Sequence, residues 1–128
     1  MKLASYLKDE HEQLAIVVNG KLYDLDQLHP DLPLSMAMFL NYWDDMYPLA
    51  LAAEERLNSA IPKSIIGTPF DDSILLAPVP HPTSCRDGYA FRQHVAAARR
   101  NRKLDMIPEF DQYPIFYFTN HNSIQGPG

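Results

Sequence analysis

Asn19-Gly20 constrains this chain more than any other pair of its residues. Both residue types enter the left-handed backbone region at little cost, and a two-residue turn of that hand matches the natural twist of two antiparallel strands. The flanks agree with a hairpin. Residues 13–18 (Gln-Leu-Ala-Ile-Val-Val) are rich in β-branched side chains, and residues 21–25 (Lys-Leu-Tyr-Asp-Leu) alternate polar and apolar. Residues 2–8 read as a strand before them, joined by the polar turn Asp9-Glu10-His11-Glu12. The sequence therefore predicts a three-stranded antiparallel meander at the front of the chain.

Helices follow. Ser35 reads as an N-cap, and Met36, Phe39, Leu40 and Trp43 fall at i, i+3, i+4 and i+7. Pro48 is expected to break that helix or to open the next one in its first turn. Leu49, Leu51, Ala52, Ala53, Leu57 and Ile61 continue helically, with Glu54, Glu55 and Arg56 outward, until Pro62 ends the helical pair. Residues 62–73 read as loop, with Ile65, Ile66 and Phe70 as anchors, and residues 74–77 as a short buried strand. Pro78, Pro80 and Pro82 impose a stiff, extended link. The expected organisation is an N-terminal α+β domain over 1–77, a proline-rich linker over 78–84 and a second segment over 85–128. That segment opens with a helix over about 88–102, turns at Pro108 and continues into an apolar strand, Tyr113-Pro-Ile-Phe-Tyr-Phe118. One helix and one strand do not make a domain. The pattern predicts that something else pairs with residues 115–118, either further chain or a partner.

The chain has 128 residues, 46% hydrophobic and 21% charged, which suits a folded domain with a core. No apolar run reaches the roughly 20 residues of a membrane span, and no secretory signal follows Met1-Lys2. Cys85 is alone, so no internal disulfide forms, in keeping with a cytoplasmic location. A net charge of −5 argues against nucleic acid or an anionic membrane as partner. The charge is uneven. Residues 1–85 carry five basic and twelve acidic side chains, whereas residues 86–128 carry six basic and four acidic. The six cations all lie between Arg86 and Lys103, which suggests a small anionic ligand or a solvated basic helix face.

Within that stretch, Asp87-Gly-Tyr89-Ala-Phe-Arg92-Gln93-His94 gathers the most reactive side chains of the chain. Asp87 has three readings: a helix cap in competition with Ser84, a hard-oxygen metal ligand, or a general base. His94 is either a structural helical histidine or a base whose ordinary pKa, roughly 6.5, suits proton transfer from water. Tyr89 either packs or donates to a substrate oxygen, and Arg99, Arg100, Arg102 and Lys103 are available to hold a carboxylate. Zinc-type clusters, a glycine-rich phosphate loop and a serine nucleophile elbow are all missing from the sequence.

The string Asp87-x-Tyr89-x-x-Arg92-Gln93-His94, preceded by Leu75-Leu-Ala-Pro-Val-Pro80, resembles the fumarylacetoacetate hydrolase family. So do Pro114-x-x-Tyr117, the closing Gly126-Pro127-Gly128 and the opening Met1-Lys-Leu-Ala-Ser-Tyr6. The resemblance covers the whole chain but only the front of the family's length. It implies a mostly-β, roll-like catalytic domain that is incomplete in this chain. It also implies cleavage of a carbon–carbon bond in a small anionic 1,3-diketo acid, with Asp87 as the first ligand of Mg2+ or Ca2+ and His94 as the base that activates water. Tyr89 and Tyr117 would touch substrate, an arginine after His94 would hold its carboxylate, and the enzyme would be a homodimer. The family's further metal carboxylates lie downstream of residue 128. Glu10-His11-Glu12 has the spacing of such a pair but sits in a turn ahead of Asp87. One carboxylate is too few for a hard cation, so this chain alone is expected to bind the ion weakly and to be inactive. The competing expectation is a non-catalytic module that packs on a partner or self-associates through its unpaired strand.

Overall fold

The structure is a computed structural model and describes residues 1–127; Gly128, the last residue of the Gly-Pro-Gly run, lies outside the described residues. The fold is α+β. Two compact units are present, residues 1–82 with the C-terminal stretch from Asn122, and residues 83–121.

The first unit is built on an antiparallel sheet in the order β1 (Leu3–Lys8), β2 (His11–Val18), β3 (Lys21–Asp24) and β4 (Thr68–Pro69). The Asn19-Gly20 turn forms as the sequence requires, with φ of 49° and 72°, and it sets Val18 opposite Lys21. Alanine at Gly20 would keep its backbone in the left-handed region, where a Cβ costs about 1–2 kcal/mol. Gly20→Ala is therefore expected to lower the urea midpoint of this unit by a corresponding step, while Asn19→Gly leaves it nearly unchanged. The β1–β2 turn is tighter than the sequence suggested. Only Asp9 and Glu10 lie in it, both at positive φ, and His11 and Glu12 already belong to β2.

The meander gains a fourth strand that carries little sequence signal. β4 is two residues long and contains a proline, which the ladder tolerates because β4 is an edge. The segment after it curls the sheet back on itself. Residues 74–77, expected as a buried strand, instead enter from a 3-10 turn (Asp72–Ile74) and make a single bridge, Tyr6 to Leu75. The Leu76 amide donates to the Ser5 carbonyl, so the outer edge of β1 is covered.

Alternation along the strands gives the sheet two buried faces. Leu14, Ile16, Val18 and Tyr23 meet the helices, whereas Tyr6, Ala15 and Leu22 meet Ile74 and Leu75. Helix α1 (Leu25–Leu28) is one turn. Helix α2 (Met36–Asn41) begins at Ser35, whose Oγ accepts from the Met38 amide, and Glu12 of β2 accepts from the Met36 amide. Helix α3 (Trp43–Ser59) follows after Tyr42, whose φ of −116° and ψ of 36° interrupt the helical path. The break thus lies at Tyr42, and Pro48 sits inside α3, past the four free amides of its first turn, so the Asp44 carbonyl receives no amide from it. Met36, Phe39, Ala50, Ala53 and Leu57 face the sheet, and the two alanines let α3 approach it closely. Leu40, Trp43 and Leu51, expected on the apolar face, are exposed; for Trp43 the reason is the Tyr42 break, which takes it out of phase with Met36 and Phe39. Of the loop anchors, Ile65 packs on the core, while Ile66 and Phe70 remain exposed.

Gly126 explains why the C-terminal stretch joins this unit. A Cβ there would stand 2.2 Å from the Leu75 carbonyl oxygen, so only glycine lets the two backbones approach this closely. Among the described residues, no helix is long and apolar enough to cross a membrane.

Candidate functional site

The candidate residues of the second unit lie on a short ribbon and the helix that follows it. β5 (Asp87–Gly88) pairs antiparallel with β6 (Phe116–Tyr117), which sets Asp87 opposite Tyr117 and Gly88 opposite Phe116. The Tyr89 amide extends the ladder to the Ile115 carbonyl at 2.9 Å. The Ala90 amide bonds back to the Gly88 carbonyl, and this tight turn redirects the chain into α4 (Arg92–Asn101).

That start corrects the expected helix over 88–102. Phe91 occupies the N-cap position, and no side chain caps the helix. Neither Asp87 nor Ser84 is therefore a cap, and the capping-box reading fails because Asp87 is committed to the ribbon. His94 belongs to the first turn of α4, not its middle, and it is exposed. Its ring meets that of Tyr89 edge-on, with centroids 6.3 Å apart and planes at 76°. The structure thus brings Tyr89 to His94 and Asp87 to Tyr117.

Two devices hold α4. Val95 is fully buried and anchors one face. Arg92 grips Asp111 with a two-pronged ion pair, Nε to Oδ1 at 3.0 Å and Nη2 to Oδ2 at 3.1 Å. That contact lowers the Asp111 pKa and raises that of Arg92, both chiefly through the hydrogen bonds themselves. Asp111 ends the 3-10 turn Pro108–Asp111, which occupies the proline-marked turn foreseen at Pro108. The sequence reading missed this partner; the only hint was a carboxylate in a proline-opened turn.

At its far end α4 closes with two bonds, Leu104 amide to Arg99 carbonyl and Lys103 amide to Arg100 carbonyl, with Lys103 at φ 57°. This is a Schellman closure with lysine in the place glycine usually takes. The arginines after His94 lie roughly 8–12 Å further along the helix axis. Arg99 is spoken for, its Nε donating to the Asp105 carbonyl, while Arg100 and Arg102 are exposed.

The strand expected to be buried at 113–118 is not. Tyr117 is 74% exposed and Phe118 99%, and Tyr113 and Phe116 are exposed as well. A two-residue ladder supplies no second layer to cover them. A cavity of 350 Å³ opens beside the ribbon, lined by Tyr89, Phe110, Asp111, Tyr113 and Phe116 among others. Tyr117 lines a second, of 450 Å³, with Cys85, Arg86 and Phe118.

The donor set around Asp87 is small. Among the described residues, no group of three or more His, Cys, Asp or Glu side chains is placed to hold a metal ion. Asp87 by itself offers a single carboxylate, so the residues of this chain alone do not fit a Mg2+ or Ca2+ site, which needs six or more oxygens. Glu12, the other carboxylate considered, is engaged by the Met36 amide and lies 3.9 Å from His81 Nε2. Compared with known proteins, the chain matches no family model, no curated protein and no solved structure.

Proposed function

We propose that this chain is the N-terminal part of a fumarylacetoacetate hydrolase-like enzyme, cleaving a carbon–carbon bond in a 1,3-diketo acid of fumarylacetoacetate or acylpyruvate type. One observation carries the reading: a carboxylate, an imidazole and two phenols from the motif share one ribbon and the first turn of one helix. In this reading His94 takes a proton from water, and the resulting hydroxide adds to one carbonyl carbon of the substrate. The adjacent carbon–carbon bond breaks, its electron pair leaves as an enolate, and a proton returns to that carbon. The edge-on Tyr89 ring limits the orientations open to His94, and its hydroxyl and that of Tyr117 donate to substrate oxygens.

Asp87 would supply one oxygen ligand to a Mg2+ or Ca2+ ion, and the other carboxylates such an ion needs would have to come from outside these 128 residues. The exposed Phe116, Tyr117 and Phe118 side chains support the same view, since a further β layer over them would complete a roll. The enzyme is proposed to act as a cytoplasmic homodimer. The exposure of these aromatics favours completion by more chain over a self-sufficient interaction module.

Isothermal titration of Mg2+ and Ca2+ into the chain, beside Asp87→Ala, tests the ion site. Millimolar binding indifferent to Asp87→Ala is the expected result; micromolar binding lost in that variant would mean that the chain completes its own site. The chemistry is tested by His94→Ala in a polypeptide that carries the missing carboxylates. Its acylpyruvate hydrolysis is expected to fall by about 10²–10⁴-fold, and an unchanged rate would sink the assignment.

A further inference from the structure

We infer that the Trp43–Tyr47–Leu51 row on α3 is a docking surface for an amphipathic helical segment that carries lysine or arginine beside its apolar residues. The three side chains are spaced four apart and so line one row of the helix. They are 45%, 37% and 37% exposed, while the neighbouring row, Ala50, Ala53 and Leu57, about a quarter-turn round the helix, fills the core. Large apolar side chains are thus presented outward at a spacing another helix can match.

The row is tied to the core by ring contacts. Tyr47 stacks on Trp43 with ring centroids 4.7 Å apart and planes at 18°. Trp43 in turn meets Phe39 edge-on at 5.8 Å, and Phe39 is fully buried. An aromatic ladder tied to the core loses little freedom on binding, and tryptophan and tyrosine are the usual anchors of interfaces.

Charge selects the occupant. Asp44 stands beside the start of the row and Glu55 continues it four residues past Leu51, both exposed. Glu54 already holds an ammonium, the chain's own N-terminal amine at 3.4 Å. Arg56, the one cation of α3, is turned away and donates to the Leu28 carbonyl. The rim is therefore negative, and a partner with lysine or arginine beside its apolar face fits it. A second copy docked through the same row would set acidic rim against acidic rim, and an anionic membrane would be repelled.

Trp43 is the only tryptophan of the chain, so its emission reads this row directly. The probe is a Leu/Lys amphipathic helical peptide without aromatic residues, compared with its Leu/Glu twin. The expected result is a saturable blue shift with the lysine peptide that weakens with salt, and binding at least about tenfold weaker for the twin. Leu51→Asp separates docking from adhesion. It adds a negative charge, so mere electrostatic attraction would strengthen, whereas docking on the row is lost; circular dichroism checks that the variant folds. No shift with the lysine peptide, equal shifts with both peptides, or a response retained in Leu51→Asp would overturn the inference. So would a shift on raising the protein concentration alone with a doubled sedimenting mass, which would name a second copy. A shift on anionic vesicles without one on the peptide would name a membrane, and would overturn it too.

Discussion

Replacing Phe39 with alanine is expected to lower the stability of the N-terminal unit by about 3–5 kcal/mol. The ring is fully buried where α2 meets the sheet, in one cluster with Leu14, Ile16 and Tyr23. Removing it forfeits the transfer energy of an aromatic side chain and leaves a hole that fixed strands cannot close. It also frees Trp43, which loses its edge-on neighbour. Small domains have about 5–15 kcal/mol in all, so this one change consumes a large share. Urea unfolding followed by circular dichroism should show the midpoint falling by about 1–3 M with little change in slope. Phe39→Leu, which keeps most of the volume, should lose less than half as much. Equal losses in the two variants would mean that aromatic geometry, not filled volume, is what the site requires.

Asp24→Ala is expected to cost about 2–4 kcal/mol, although the residue is a single polar side chain at the end of a strand. Its carboxylate is only 5% exposed and accepts three hydrogen bonds. The Tyr6 hydroxyl donates at 2.6 Å, Lys8 Nζ at 2.5 Å and Gln27 Nε2 at 3.0 Å. Tyr6 and Lys8 come from β1, so the contact passes over β2, where the residue opposite Asp24 is Ala15. Ala15 is small enough to let the phenol cross. Removing the acceptor strands a buried hydroxyl and leaves an ammonium without its counter-ion.

The same network gives the unit an alkaline limit. Burial and the Asp24 hydrogen bond both raise the Tyr6 pKa, and the Asp24 hydrogen bond raises that of Lys8. Each group holds its proton more tightly folded than unfolded. Their contribution is therefore complete below the unfolded pKa values of about 10 and is lost as pH rises through the folded ones. Above about pH 10 the stability of the native protein should fall more steeply than that of Tyr6→Phe. Parallel alkaline limbs for the two proteins would show that Tyr6 does not titrate with unfolding.

Local chemistry made much of the first unit legible. Asn19-Gly20 dictated its turn because left-handed backbone is a property of the residues themselves, and Ser35 capped its helix because the hydroxyl needs only the amide three residues on. β-Branched runs gave β2 its place. By contrast, β4 is two residues of unremarkable sequence, and it is a strand only because β3 offers it an open edge. The Asp24 network was equally invisible, since Lys8 and Tyr6 lie 16 and 18 residues from Asp24 and reach it only across a formed sheet.

The site divides the same way. Asp87, Tyr89 and His94 could be singled out as candidates because residue type and spacing are written in the chain, and Tyr117 only through the family resemblance. Their arrangement was not legible. The sequence suggested a helix from about residue 88, yet pairing with Phe116 and Tyr117 holds Asp87–Gly88 extended and delays α4 until Arg92. Likewise, residues 113–118 are apolar enough to read as buried, but burial requires a covering layer, which only the assembled structure can supply or withhold. The sequence alone determined turns, caps, strand periodicity and the inventory of reactive groups, because these depend on a residue and its near neighbours. Which strand edges pair, which apolar faces stay open and which polar groups meet was decided by the tertiary structure, because those energies exist only once distant segments are in contact.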